Sequence, residues 1–98
     1  MDLIITVVNR GHADEVMDAA RAKGAKGGTI IYGRGTAGEV EKFFGISFQS
    51  EKEVVLIVVE HGLRRAIMEE ISQKAGLKTP GQGVIFSMPV EDAIGFAK

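Results

Sequence analysis

The chain has 98 residues, which is the size of one domain with a single hydrophobic core. Hydrophobic residues make up 45% of the chain and charged residues 26%, a balance too apolar for a disordered chain and too interrupted by charge for a membrane span. The 12 basic and 13 acidic residues give a formal net charge of -1 without a block of one sign, so the footprint of a nucleic-acid-binding protein is missing. The chain has no cysteine, which excludes disulfide and thiolate chemistry.

The N-terminal segment begins almost directly with a β-branched run. Residues 3–8, Leu-Ile-Ile-Thr-Val-Val, predict the first strand, and Asn9-Arg10-Gly11 is typical of the turn that ends a strand. This start has neither the basic region nor the small-residue cleavage site of a signal peptide. The sequence therefore predicts a cytoplasmic protein.

The first helix is predicted from Ala13 to Lys23, because apolar residues recur there at i, i+3, i+4 and i+7. Gly24 follows, where the end of a helix favours a left-handed residue. Residues 29–32 predict a short second strand. The strongest strand signal is the uniformly apolar run 53–59, which we expect at the centre of a sheet.

The second helix is predicted from the apolar residues that recur at every fourth position from Leu63 to Ala75. Residues 79–83, Thr-Pro-Gly-Gln-Gly, then predict a turn. Residues 84–88 predict a fourth strand, which Pro89 would end. The resulting order is strand, helix, strand, strand, helix, strand.

This order predicts an α+β fold of the ferredoxin-like βαββαβ type, with one antiparallel sheet and both helices on one face. The strands at 3–8 and 53–59 are nevertheless apolar on both faces, so the face without helices needs another cover. A further copy of the chain is the economical cover, which predicts a homo-oligomer with the sheets packed inward. The alternative is that the loop at 33–52 folds over this face.

Residues 33–38, Gly-Arg-Gly-Thr-Ala-Gly, match the spacing of a dinucleotide-binding fingerprint. That fingerprint requires a parallel βαβ unit with a helix directly after the glycines, whereas here a central strand follows after a short excursion. We therefore favour glycines at the base of a loop. Arg34 among them remains a candidate contact for an anion.

A second glycine-rich turn, Gly81-Gln82-Gly83, could direct backbone N–H groups toward an anion. The predicted topology places the end of the second strand and the start of the third at one edge, so Arg34 and Lys52 would flank one mouth. Two cations beside backbone donors could bind a phosphate or carboxylate ligand. The alternative is that both cations are solvated loop charges.

The two histidines follow strands that run in opposite directions, so His12 and His61 should lie at opposite edges of the sheet. They cannot share a metal within one chain, although a site between subunits stays open. No nucleophile has an obvious base beside it, so we predict neither a catalytic residue nor an enzyme. The charges at 64–65 and 69–70 are typical of a solvated helix face.

Three segments together resemble the P-II (PII) family of nitrogen-regulatory signalling proteins, and the resemblance extends over nearly the whole chain. They are residues 24–29 (Gly-Ala-Lys-Gly-Gly-Thr), residues 51–53 (Glu-Lys-Glu) and residues 80–90, which run from Pro-Gly-Gln-Gly to Met-Pro-Val. The stretches VNRG and GGTIIYGRG resemble the short PII-like subgroup. The resemblance implies one domain over residues 1–98, a homotrimer, and ATP, ADP or AMP as an effector between subunits.

The resemblance also implies particular roles along the chain. A long excursion at about 34–50 would be the family's partner-docking T-loop, and the turn at 79–83 would be its B-loop. Backbone groups at residues 27–29 would receive adenine, and residues 33–35 with Lys52 would lie near the phosphates. The implied effector-binding set is Gly27, Gly28, Thr29, Gly33, Arg34, Gly35, Lys52, Gly81, Gln82 and Gly83.

The chain departs from the family's pattern at several of its charged positions. Val84 stands in place of a lysine and Leu56 in place of its glutamate partner, so both halves of a salt bridge are apolar. Their joint loss is physically coherent, because an unpaired buried charge is costly. Gln82 replaces an aspartate, and Gly95 and Ala97 replace arginines that would reach the phosphates.

The excursion carries four apolar residues that predict a partner-docking surface: Phe43, Phe44, Ile46 and Phe48. The alternative is that they pack back on their own subunit. The sequence thus predicts a regulator of an enzyme or transporter in nitrogen metabolism, with no resident cofactor or metal. The rivals are a ligand-independent assembly module, a CutA-like cation-binding trimer and an acylphosphatase, for which Asn9-Arg10-Gly11 would be the anion-binding turn.

Overall fold

The computed structural model of the protein describes residues 1–36, 50–79 and 81–96. Four strands and two helices follow one another in the predicted order. Their bounds are β1 Asp2–Asn9, α1 Ala13–Ala22, β2 Thr29–Arg34, β3 Glu51–Val59, α2 Arg64–Lys74 and β4 Gly83–Pro89. A short 3-10 turn, His61–Leu63, leads into α2. The predicted ferredoxin-like α+β class is confirmed.

The four strands form one antiparallel sheet in the order β2-β3-β1-β4. The two most apolar strands, β1 and β3, are therefore central, as predicted. They pair along their whole length, from Asp2 opposite Val59 to Asn9 opposite Lys52. Strand β2 first pairs at Leu56, which leaves the last three residues of β3 without a β2 partner. This gap becomes part of a groove described below.

One face of the sheet carries the hydrophobic core. Side chains alternate between faces along a strand, and every second residue of β1, and of β3 from Glu53 onward, is buried beneath the helices. The helices bury Val16 and Ala20 of α1 and Ile67 and Ile71 of α2 against it. Each fully buried aliphatic side chain contributes about 1.5–3 kcal/mol of transfer free energy, so this layer supplies most of the stabilisation.

The start of helix α1 is stabilised by a carboxylate that belongs to strand β3. Its N-cap residue, His12, makes no capping bond with its own side chain. Instead Oε1 of the buried Glu53 accepts hydrogen bonds from Gly11 N at 2.7 Å and from Ala13 N at 2.9 Å. A carboxylate at this position satisfies otherwise unpaired backbone donors and complements the positive end of the helix dipole. Glu53 thus joins β3 to the start of α1.

The opposite face of the sheet, called the open face below, is apolar over all four strands. The strand register brings ten aliphatic, aromatic or methionine side chains onto it. They are Ile31, Val54, Leu56, Val58, Leu3, Ile5, Val7, Val84, Phe86 and Met88. The loop that the alternative would fold over this face includes residues 37–49, which lie outside the described residues. The predicted docking residues Phe43, Phe44, Ile46 and Phe48 lie there too.

Two details of the sequence-based prediction are corrected. The sequence predicts that the fourth strand stops before Pro89. In the structure Pro89 is the last residue of that strand and lies opposite Asp2. A proline is tolerated there because β4 is an edge strand whose outer side needs no ladder donor.

The second correction is that Arg64 does not belong to a solvated helix face. Its Nη1 donates to Ser87 Oγ at 3.3 Å, and its Nε lies 3.4 Å from Oδ2 of the buried Asp2. The same carboxylate oxygen lies 2.6 Å from His61 Nδ1. Arg64 therefore joins α2 to β1 and β4, since a buried carboxylate requires a partner.

Candidate functional site

One end of the sheet collects residues that are far apart in the sequence. Strands β1 and β2 end there and β3 and β4 begin there, because Lys52 is opposite both Asn9 and Gly33, and Gly83 is opposite Val8. This end therefore holds Arg34, the residue after Gly33. The antiparallel pairing of β2 with β3 also removes the parallel βαβ context that a dinucleotide fingerprint requires.

On the open-face side of this end, Asn9 connects two of the predicted binding segments. Lys52 Nζ donates to Asn9 Oδ1 at 2.5 Å, and Asn9 Nδ2 donates to the carbonyl oxygen of Gly81 at 3.4 Å. The partner of the Lys52 ammonium is a neutral amide, so the bond leaves the positive charge of the lysine uncompensated. Asn9 was absent from the predicted set, although its position beside the predicted strand end pointed to this edge.

Two glycines of the predicted set are required by packing as well. A Cβ on Gly35 would lie 2.9 Å from Lys52 Cε, so the glycine leaves room for the lysine side chain to cross. Gly83 has φ +146°, and a Cβ there would collide with the carbonyl oxygen of Val7. The backbone N–H of Gly35 also donates to Ser50 O at 2.6 Å. These glycines therefore shape the end of the sheet whether or not a ligand binds.

On the helix-covered side of the same end, two arginines lie near one carboxylate. Alternation along the strands places Arg34 and its cross-strand partner Glu51 on the face opposite to Lys52. Arg10 Nη1 lies 2.6 Å from Glu51 Oε2, and its guanidinium carbon is 5.9 Å from the centre of the Tyr32 ring. The hydrogen bond from Arg10 to Glu51 raises the pKa of that guanidinium above its ordinary value.

These residues enclose a cavity of about 460 Å³, which we call the cation cavity. Its lining is Arg10, Tyr32, Gly33, Arg34, Glu51 and Lys52. The predicted pair, Arg34 and Lys52, does flank one cavity, from opposite faces of the sheet. Three cations and one carboxylate give it an excess of positive charge, which suits a phosphate or carboxylate ligand. Residues 81–83 are joined to this end of the sheet by the hydrogen bond from Asn9 to Gly81. They do not line the cavity within a single chain.

The other predicted segment, residues 27–29, lies at the gap left by β2. It borders a groove of about 620 Å³, whose apolar wall includes Leu3, Leu56 and Val58 of the open face and Phe96 near the C-terminus. A Cβ on Gly28 would lie 2.8 Å from the Leu56 carbonyl oxygen, so only glycine lets this segment approach the strand so closely. An apolar wall with exposed backbone groups at its rim suits a flat aromatic ring.

The structure thus places six of the ten predicted residues in two sites, residues 27–29 in the groove and Gly33, Arg34 and Lys52 in the cation cavity. Gly35 and residues 81–83 line neither site within a single chain. The groove and the cation cavity lie at opposite ends of β2, four residues or about 13 Å apart. The groove presents apolar surface and backbone, and the cavity presents charge. Both contain residues of the open face, namely Leu56 in the groove and Lys52 in the cavity.

The family model described as nitrogen regulatory protein P-II matches residues 1–97. The chain belongs to the P-II family. This confirms the resemblance drawn from residues 24–29 and 80–90, and P-II proteins are nitrogen-regulatory signalling proteins. A comparison with curated proteins found no match.

Two departures from the P-II pattern, at positions 56 and 84, can be located on the sheet. Leu56 and Val84 both lie on the open face, on β3 and β4 respectively, with β1 between them. A lysine or glutamate at either position would put a charge into a continuous apolar surface. The two replacements together keep this surface free of charge, which agrees with the physical argument made from the sequence.

The histidines of this P-II protein lie at opposite ends of the sheet, as predicted. His12 follows β1 beside the cation cavity end, and His61 follows β3 beside Asp2. In residues 1–36, 50–79 and 81–96, no three histidine or carboxylate side chains are grouped so that they could hold a metal ion. No helix within those ranges has the length and apolar character needed to span a membrane.

Proposed function

We propose that the protein is a homotrimeric P-II-type regulator that binds an adenine nucleotide between its subunits. Through the excursion at 34–50 it would act on a partner enzyme or transporter of nitrogen metabolism. The observation that carries this proposal is the position of the groove and the cation cavity at the two ends of β2. Each shares residues with the open face. A neighbour packed on that face would therefore complete both sites.

The homotrimer is supported by the chemistry of the open face. Four of its side chains remain between 43% and 51% exposed in the single chain: Ile31, Val84, Phe86 and Met88. They are part of a ten-residue surface that has no charge at its centre, whereas soluble monomers rarely expose a large contiguous apolar patch. Burial of such a surface contributes about 25 cal/mol for each Å² removed from water. Membership in a family of trimeric proteins points to two further copies of the chain as the cover.

The nucleotide is supported by the difference between the two ends of β2. The groove beside residues 27–29 offers apolar side chains and backbone groups, which suit a base. The cation cavity offers Lys52 and Arg34, which suit phosphate oxygens, and charge-assisted hydrogen bonds are about twice as strong as neutral ones. A molecule with a planar ring at one end and phosphates at the other fits this distribution.

Signalling follows from where the cation cavity lies. Gly35 N bonds to Ser50 O at the point where the excursion leaves and rejoins the sheet, next to Lys52. A ligand bound there would favour those conformations of the excursion that are compatible with it. Such a ligand shifts a population between states by its difference in affinity for them. The partner would then recognise one state.

The proposal is tested by titration calorimetry with ATP, ADP and AMP and by sedimentation of the intact protein. We expect a particle of three times 10.5 kDa and measurable heat with at least one nucleotide. Lys52→Ala should weaken binding about tenfold or more, because it removes a charged donor worth about 1.5–3 kcal/mol. Lys74→Ala, at the end of α2 and outside both sites, is the matched control and should leave affinity unchanged. A single 10.5 kDa particle at micromolar concentration, or no heat with any nucleotide, contradicts the proposal.

A further inference from the structure

Arg10 and Glu51 line the cation cavity but have no part in the effector-binding set predicted from the sequence. Arg10 is the residue after β1, and Glu51 is the first residue of β3. Their side chains meet at 2.6 Å although 41 residues separate them in the chain. A cation and a carboxylate at the rim of a cationic cavity affect any anion that enters it.

Arg10 makes three contacts at the rim of the cation cavity. Its backbone N–H donates to Glu51 O at 3.1 Å, its Nη1 lies 2.6 Å from Glu51 Oε2, and its guanidinium carbon lies 5.9 Å from the Tyr32 ring centre. A guanidinium on an aromatic ring, with a fork of five donors, is well suited to bind a phosphate through two parallel hydrogen bonds. Arg34, the cross-strand partner of Glu51, adds a second guanidinium at the same side.

The bond between Arg10 and Glu51 is exposed, with 60% of the arginine and 56% of the glutamate side chain accessible to water. Exposed ion pairs of this kind are weak, because water screens them and both side chains lose conformational freedom. A phosphate group carries more charge than one carboxylate, and three cations line the cavity that it would enter. An entering phosphate should therefore displace the Glu51 carboxylate from Arg10.

We propose that Arg10 is a direct ligand of a phosphate group in the cation cavity and that Glu51 is the internal counter-ion which this phosphate displaces. The inference rests on the proposed function, since the phosphate would belong to the effector or be a free polyphosphate. Glu51 then sets the affinity of the cavity. Its negative charge lowers affinity for every phosphate ligand, and its removal raises the net charge of the lining by one.

The test is titration calorimetry of the intact protein at low salt with two probes, ATP and inorganic tripolyphosphate. Glu51→Gln keeps the size of the side chain and removes its charge, so it should bind both probes about two- to fivefold more tightly, the range expected for loss of an exposed charge interaction. Arg10→Gln should bind both about tenfold more weakly. The gain in Glu51→Gln should shrink as salt is raised toward physiological ionic strength.

A matched control separates this effect from a general change in surface charge. Glu15→Gln removes another exposed carboxylate, 44% accessible and 3.3 Å from His12, that does not line the cavity. It should leave the affinity for both probes unchanged. In the double variant Arg10→Gln with Glu51→Gln, the gain from the glutamate change should be smaller than in the single variant, because the displaced bond is already absent.

The outcomes distinguish this inference from the proposed function. If the wild type binds ATP and neither Glu51→Gln nor Arg10→Gln changes the affinity, the inference is overturned and the nucleotide proposal stands. If ATP fails to bind but tripolyphosphate binds and Glu51→Gln tightens it, the inference stands and the nucleotide proposal does not. If neither probe binds the wild type or Glu51→Gln, both are overturned. An equal gain in Glu15→Gln also overturns the inference.

Discussion

Ile57 and Leu56 are neighbours on β3 with similar side chains, yet they have opposite surroundings. Ile57 is completely buried beneath the helices, whereas Leu56 lies on the open face and stays partly accessible. The chain supplies a second layer for one face, and for the other it supplies none in the residues described. The local sequence is equally apolar on both faces of the sheet. Whether an apolar side chain is buried therefore depends on which element packs against its face.

Three polar residues of the central strands lie on the buried face, and they make the contrast between the two faces clearer. Asp2, Thr6 and Glu53 are all buried there. Asp2 has His61 and Arg64 beside it, and Glu53 accepts two backbone hydrogen bonds. The hydroxyl of Thr6 has no partner among the described residues. The buried face thus holds two carboxylates that have partners and one neutral hydroxyl, while the centre of the open face carries no charge.

The largest effect is expected from Phe86→Lys on the open face. A charge at this position, 43% exposed in the single chain, should prevent another subunit from packing there and should reduce the sedimenting particle to 10.5 kDa. The far-ultraviolet circular dichroism should persist, because the helix-covered core is untouched. Ala66→Lys, an exposed position on α2, is the control and should keep the mass of the wild type. A Phe86→Lys protein that sediments like the wild type would show that the open face is not an interface.

The second-largest effect is expected from a comparison of Ile57 with its neighbour Leu56 on β3. Both substitutions are made in the Phe86→Lys background, where assembly of subunits no longer contributes to the free energy of unfolding. Ile57→Ala should lower the free energy of unfolding in urea by about 2–5 kcal/mol, because it leaves a cavity in the core. Leu56→Ala should cost much less, since its side chain already contacts water. Equal losses in the two variants would mean that the single chain covers both faces.

The smallest effect is expected from Thr6→Val on the buried face. Valine has nearly the same shape and removes a buried hydroxyl that has no hydrogen-bond partner among the described residues. The free energy of unfolding should rise by about 1 kcal/mol. Both Thr6→Val and its control, Thr29→Val at an exposed position of β2, are measured in the Phe86→Lys background, and the control should change the free energy of unfolding little. A loss of stability in Thr6→Val would show that the hydroxyl has a partner after all.

The order of the elements, the central position of β1 and β3 and the two apolar faces could all be predicted from the sequence. These features depend on the local pattern of apolar residues. The runs 3–8 and 54–59 each show this pattern by themselves, so no distant residue is needed to recognise it. Arg34 and Lys52 could be placed at one edge for the same reason, because the topology alone determines where strands end. Their position on opposite faces needed the register, in which Lys52 is opposite Gly33.

Four contacts were decided only by the tertiary structure: Glu53 at the start of α1, Asn9 between Lys52 and Gly81, Arg10 on Glu51, and Arg64 beside Asp2. Each joins residues that are 40 or more positions apart. A side chain's own neighbours in the sequence determine which element it occupies, but its partner across the sheet depends on strand register and helix placement. The sequence by itself therefore determined the framework, and the folded chain determined which charges meet within it.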